Sequence, residues 1–221
     1  MIAATAVCCQ GEHGRGRRPI FARAFHQLTR LMEPEIAGCR DELLGGLTGS
    51  VLELGAGNGI GFAHYPDTVE QVVAIEPEPY LRAKAVVAAA QAPLAITVMD
   101  GLADALPLQD ASVDAAVCSL VLCSVPDALL ALGELRRVLR SGGELRFFEH
   151  VRSADPRRAR LQRAVDRSGA WRLLAGGCHC ARDTSAAIQA SGFWIERSRA
   201  FAVGPGWLLT NPYVLGRALA V

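Results

Sequence analysis

Apolar positions recur at two different spacings along this chain, and the changes between them predict its elements. Phe21, Phe25, Leu28, Leu31 and Met32 stand three and four residues apart, the spacing of one helix face. Pro34 interrupts the run, so a second helix is expected over 35–44, ended by Gly45-Gly46. Short apolar runs then alternate with helical stretches. Residues 51–54, 72–75, 95–99, 113–118 and 144–148 read as buried strands. Residues 80–90 and 127–139 read as helices, and Gly142-Gly143 as the turn into the fifth strand. A helical stretch from 156 to 174 follows, then a short helix over 184–190 and strand-like runs over 193–201 and 212–220. This order implies a parallel sheet with helices on both faces, closed at one edge by an antiparallel terminal pair.

The first strand runs directly into a glycine loop. Residues 51–61 read V-L-E-L-G-A-G-N-G-I-G. Glycine takes positive φ and lets a ligand approach the backbone. At the carboxyl end of a strand in a parallel sheet, such a loop is where a nucleoside-type ligand sits. The dinucleotide fingerprint G-x-G-x-x-G does not fit, because Ile60 stands at its third glycine. Glu53, two residues before Gly55, also argues against a diphosphate, whose charge it would oppose.

Glu76 ends the second strand, 19 residues after Gly57. A carboxylate there can accept both hydroxyls of a ribose; the alternative is a carboxylate placed for a helix dipole. Asp100-Gly101-Leu102-Ala103-Asp104 follows the third strand, and Ser119-Leu120 the fourth.

E-x-G-x-G-x-G resembles the first motif of the class I S-adenosylmethionine-dependent methyltransferases, which bind a cationic sulfonium. The resemblance implies a Rossmann-like α/β fold: a seven-stranded sheet with an antiparallel terminal strand, and lid helices before it. It implies S-adenosylmethionine as cofactor, held by Glu53, Gly55, Ala56, Gly57, Asn58 and Gly59, with Glu76 and Pro77 at the ribose. Gly101, Leu102 and Ala103 fall at the adenine. Ser119 and Leu120 fall at the methionine part. Leu102 stands where the family carries an acidic residue, leaving backbone N–H groups, Asp100 or Asp104 to hold the adenine. The N/D-P-P-Y/F motif of nucleic-acid amino methyltransferases is absent after the fourth strand.

Three further stretches, LVLCSV, ELRRVLRSGGELRFFEHV and GGCHCARDTSAAIQASGFWIE, resemble the thiol S-methyltransferase-like branch of that superfamily. The branch implies a small apolar acceptor, most readily a thiol. The alternatives are C- or O-methylation of a quinone or polyketide-like ring, and a non-catalytic nucleoside-binding domain; a nicotinamide dehydrogenase is a further option. Thiols react as thiolates, so a nearby base or positive potential is needed. His150, after the fifth strand, matches the branch's E-H; Asp166 and His179 are the other catalytic candidates. Trp171, Phe193, Trp194 and Trp207 are candidate pocket walls, with core packing as the alternative.

Composition narrows the remaining choices. Hydrophobic residues make up 51% and charged residues 20% of 221, as in a globular chain. A net charge of +1 removes the electrostatic case for nucleic acid. The cysteines number seven, an odd count without a C-x-x-C pair, which fits a reduced cytoplasmic protein better than a disulfide framework. Cys178-His179-Cys180 crowds three donors into consecutive positions and lacks a second pair, so no metal is expected. Animal members of the branch carry an apolar membrane anchor. The apolar run at 2–9 is too short for one, so none is expected here. Residues 1–17 read as a frayed tail and 18–221 as a single domain, acting on a small molecule.

Overall fold

A computed structural model describes residues 19–204, 206 and 208–220. The expected tail and Trp207 lie outside these residues. Helix α1 (Pro19–Leu44) leads into β1 (Gly49–Leu54), a 3-10 turn (Ile60–His64), β2 (Val69–Ile75), α2 (Pro79–Ala89), β3 (Ala95–Met99) and β4 (Val113–Ser119). Then come α3 (Ala128–Val138), β5 (Leu139–His150), α4 (Pro156–Ser168), α5 (Ala170–Leu174), α6 (Thr184–Ala190), β6 (Phe193–Ala202) and β7 (Pro212–Ala220). The strands form one sheet in the order β3-β2-β1-β4-β5-β7-β6. The first five run parallel, while β7 is antiparallel to both β5 and β6.

Side-chain alternation along the central strands builds two cores. Leu52, Leu54, Ala116, Cys118, Leu145 and Phe147 pack with Leu132, Leu135 and Val138 of α3 and Ile188 of α6. Val51, Ala115, Val117 and Phe148 point the other way, onto Leu43 and Leu44 of α1 and Ala85 of α2. Both faces are covered, as a parallel sheet requires. Among the described residues no helix is long and apolar enough to cross a membrane.

Four expectations need correction. Pro34 does not divide the first helix; α1 runs through it. An interior proline costs roughly 3 kcal/mol, but Thr29, Ile36, Arg40, Leu43 and Leu44 on either side are all buried and hold the two halves in line. Gly142-Gly143 is not a turn before β5 but a bulge inside it. The register jumps from Val113↔Leu139 to Ala115↔Glu144, with Gly142 at φ 74°. The single helix over 156–174 breaks at Gly169, whose φ of 72° ends α4. The alternation also anticipates a full helix between β1 and β2, where only the 3-10 turn forms.

Candidate functional site

The carboxyl ends of β1, β2, β4 and β5 gather at one edge of the sheet, the place where open α/β sheets bind ligands. The glycine loop is pinned there by its own backbone: Gly55 and Ala56 donate to the Ile75 carbonyl at 2.8 and 3.1 Å. Gly55, Gly57 and Gly59 all have positive φ, but for different reasons. A Cβ on Gly55 would stand 2.4 Å from Val121, and one on Gly59 2.7 Å from Phe62 and 2.9 Å from Ala88. On Gly57 it would meet only the Phe25 ring, at 3.5 Å. Gly57 is thus the position whose missing side chain leaves space rather than relieving a packed neighbour.

Glu76 lies directly beside that space. One carboxylate oxygen accepts from Gly57 N–H at 2.8 Å and the other from Glu78 N–H at 2.9 Å. Burial pushes this carboxyl up to about 7, against the pull of the two N–H groups. Arg82 bonds the carbonyls of Glu76 and Pro77 and the Asp100 carboxylate, fixing the turn from outside. Asp100 is therefore engaged by Arg82, and Asp104 is exposed. Gly101 sits where a Cβ would press on Ile75 and Pro107 at 3.0 and 3.1 Å, and Leu102 bridges to Ala105.

Helix α1 crosses this edge as a lid. Asn58 in the loop reaches His26 Nδ1 and Thr29 Oγ1, both at 3.0 Å. Arg40 donates to Ser119 Oγ at 3.4 Å and pairs with Glu33 at 3.1 Å. Glu53, buried beneath the loop, accepts from the Tyr65 hydroxyl at 2.9 Å; desolvation raises its carboxyl to about 7.

The loop after β4 separates the lid from a second cluster. Leu120 adopts φ 59°, a left-handed conformation that costs a branched residue about 1–2 kcal/mol. Its own N–H donates to the Phe148 carbonyl at 2.7 Å. The three residues after it are held by Glu149, fully buried, which accepts N–H groups from Val121, Leu122 and Cys123 at 3.0, 2.8 and 3.0 Å. Burial raises the Glu149 carboxyl despite these three donors. Arg182 grips the opposite side of the loop, donating to the Leu122 and Val125 carbonyls. Behind the loop, His150 Nδ1 lies 3.8 Å from Cys123 Sγ and 3.6 Å from Cys178 Sγ. The His150 ring packs on Tyr213, centroids 4.6 Å apart.

The family described as "Methyltransferase domain" matches residues 52–147, from β1 into β5. Thiol S-methyltransferase TMT1B of Mus musculus is 34% identical over 183 residues, covering 80% of this chain and 73% of that one. Thiol S-methyltransferase TMT1A of Homo sapiens is 32% identical over 174 residues, covering 77% and 70%. The chain belongs to the TMT1-like branch of the class I methyltransferases. S-adenosylmethionine is its methyl donor. The fold itself also matches the solved putative methyltransferase of Haloferax volcanii, in complex with the Trm112 methyltransferase activator. There the TM-score is 0.69 at 17% identity, over 92% of this chain and 98% of that one.

The methyltransferase fold distributes the candidate residues unevenly. Gly55, Ala56, Gly57, Asn58, Gly59, Glu76, Pro77, Gly101, Leu102, Ala103, Ser119 and Leu120 line the loops at one sheet edge, with Glu53 below. The three catalytic candidates do not converge as a set. His150 faces two thiols. Asp166 instead pins the loop after α5, its carboxylate accepting from Cys180 N–H, Ala181 N–H and the Cys180 thiol at 3.0, 2.9 and 3.2 Å. His179 joins its backbone N–H to the Cys123 carbonyl at 2.8 Å; its half-buried ring is lowered in pKa by desolvation and nearby arginines. Phe193 is buried core while Trp194 is largely exposed, so neither forms a pocket wall. The Trp171 indole N–H is buried without an acceptor among the described residues.

Sequence reasoning missed Glu149, Arg182 and the partnership of Cys123 with Cys178. For Glu149 a signal existed: a carboxylate closing an otherwise apolar strand must find donors, and the nearest are the N–H groups of the neighbouring strand's loop. Cys123 and Cys178 sit 55 positions apart (178 minus 123), and no spacing rule joins them.

Proposed function

We propose that this methyltransferase transfers its methyl group to the sulfur of a small, largely apolar thiol. The identity with relatives named thiol S-methyltransferases, extending over more than two thirds of their length, carries this reading. The bound cofactor supplies an electrophilic methyl group on a sulfonium. The chain's own part is to bind it, exclude water and set the acceptor in line.

Residues at the site suit that cofactor. Gly57 offers room for close approach, and Glu76 presents a buried carboxylate with lone pairs left over for two hydroxyls. Gly101, Leu102 and Ala103 provide an apolar turn for the adenine, without an acidic side chain on Leu102. Asn58, tied to His26 and Thr29, couples the loop to the lid. On the acceptor side we place His150, with Asp166 and His179 shaping the loop that faces it. Asp166 serves as a positioning residue here, since its carboxylate already accepts three hydrogen bonds from residues 180–181.

A panel of thiols, phenols, amines and quinols with labelled S-adenosylmethionine tests the proposal. Label should appear on alkyl thiols. Cofactor binding with label on ring carbons or oxygens, and none on sulfur, would replace the thiol assignment.

A further inference from the structure

The Cys178-His179-Cys180 motif does not act as one ligand set in the folded chain. Its two thiols part company: Cys180 turns to Asp166 and the Gln162 carbonyl, while Cys178 turns to His150. Cys178 meets Cys123 there, and the ligand atoms of Cys123, His150 and Cys178 all lie within 4.8 Å of one another.

The separations have a chemical meaning. Zinc–sulfur and zinc–imidazole bonds of about 2.3 and 2.0–2.1 Å in a tetrahedron set sulfur–nitrogen edges of about 3.5–3.6 Å. The two sulfur–nitrogen distances here are 3.6 and 3.8 Å. The donors are also held independently of any ion. Cys123 is fixed by its N–H on Glu149 and its carbonyl under His179 N–H. Cys178 N–H bonds the Ala175 carbonyl, and His150 is registered against Tyr213 in the sheet. Both cysteines are nearly fully buried, whereas His150 is half-buried.

We propose that Cys123, His150 and Cys178 bind one thiophilic divalent cation, zinc by the chemistry of the donors, with the fourth position open to the sulfur of the acceptor. The ion's role rests on the thiol reading; its binding does not. Three protein ligands and one open position are the arrangement of catalytic zinc sites. The acceptor thiol loses its proton to solvent on binding as thiolate. A new S–CH₃ bond then forms on that sulfur as the sulfonium C–S bond breaks, the electron pair leaving with S-adenosylhomocysteine. Cys123 is three residues from Leu120, so at most about 11 Å of chain separates this site from the methionine end of the cofactor pocket.

Cobalt(II) titration of the full, reduced chain tests the site without reference to activity. One equivalent should give thiolate-to-cobalt charge-transfer bands and the visible absorption of a tetrahedral ion. Both should vanish in Cys123→Ser and in Cys178→Ser, and persist in Cys39→Ser and Cys180→Ser. Metal analysis of the isolated protein should find close to one zinc per chain. No bands in the wild type, bands that survive Cys178→Ser, or a Cys123–Cys178 disulfide in freshly isolated protein would overturn the site. An alkyl thiol should shift the cobalt spectrum. If thiols are methylated yet leave the spectrum unchanged, the open-position role falls. If cobalt binds but no thiol is methylated, the thiol reading falls and the metal site stands.

Discussion

Replacing Glu76 by glutamine leaves the shape of the side chain and removes its charge. In the native protein one carboxylate oxygen holds Gly57 N–H and the other Glu78 N–H. Glutamine offers one oxygen and one NH₂, so one backbone donor must face another donor. The proposed pair of ribose hydroxyls loses its ionised acceptor at the same time. Hydrogen bonds to a charged group contribute about 1.5–3 kcal/mol, so affinity for S-adenosylhomocysteine should fall about 10- to 150-fold.

The pH dependence sharpens the test. Burial holds the ligand-free carboxyl near 7, with Glu78 adding to the shift and Arg82 and the two N–H groups opposing it. Hydroxyl donors favour the ionised form, so ligand binding must expel a proton below that pH. With a bound-state value near that of a free glutamate, affinity at pH 5.5 should be about 30-fold weaker than at pH 8. Calorimetry at both pH values measures the ratio. At pH 7, buffers of different ionisation enthalpy should report about half a proton released per ligand. Glu53, also near 7, could contribute its own proton, so the quantity to compare is the wild type minus Glu76→Gln. Equal affinities in the two proteins, or a pH dependence that survives the substitution unchanged, would refute the role given to Glu76.

The other glycine and carboxylate positions separate binding from folding. Gly57→Ala should weaken S-adenosylhomocysteine at least tenfold in calorimetry, while the left-handed φ of 59° costs about 1–2 kcal/mol in a urea titration. Gly55→Ala should instead unfold readily, because its Cβ would stand 2.4 Å from Val121. Asn58→Ala frees α1 from the glycine loop, and amide exchange across residues 19–33 should accelerate while the sheet stays protected. Glu53 binds its proton more tightly folded than unfolded, so it stabilises the ligand-free chain less as pH rises from about 4.5 through about 7. The stability of the wild type relative to Glu53→Gln should fall across that window in urea melts.

Local patterns made the sheet legible because each parallel strand is an apolar run bounded by breakers. The glycine loop and Glu76 were legible together for a related reason: both lie at strand ends, and the length of the crossover sets their spacing. The lid was legible as helix but not as one helix. Pro34 is a true local breaker, and only the burial of Thr29, Ile36 and Arg40 overrules it. The acceptor side was the least legible. Cys123, His150 and Cys178 come from the β4 loop, the end of β5 and the turn after α5, and only the tertiary fold, the sheet together with the bond from His179 N–H to the Cys123 carbonyl, brings them together. Asp166 misled for the opposite reason. A carboxylate on a helix over the pocket suggested a base, but it is occupied by the backbone of the loop it faces.

The two halves of the site share one short loop, and that has a mechanical consequence. Ser119 and Leu120 open it beside the glycine loop, and Cys123 closes it against His150. Glu149 takes three consecutive N–H groups from it, and Arg182 takes two of its carbonyls. Glu149 belongs to the same strand as His150, one residue before it. Any slip of the loop along Glu149 therefore moves Leu120 and Cys123 together, relative to a histidine that stays fixed in the sheet. In-line transfer depends on donor and acceptor keeping their separation to a fraction of an ångström. A buried carboxyl group that accepts three consecutive backbone donors, in place of an apolar side chain, supplies that constraint, because an apolar contact tolerates sliding and three directed hydrogen bonds do not.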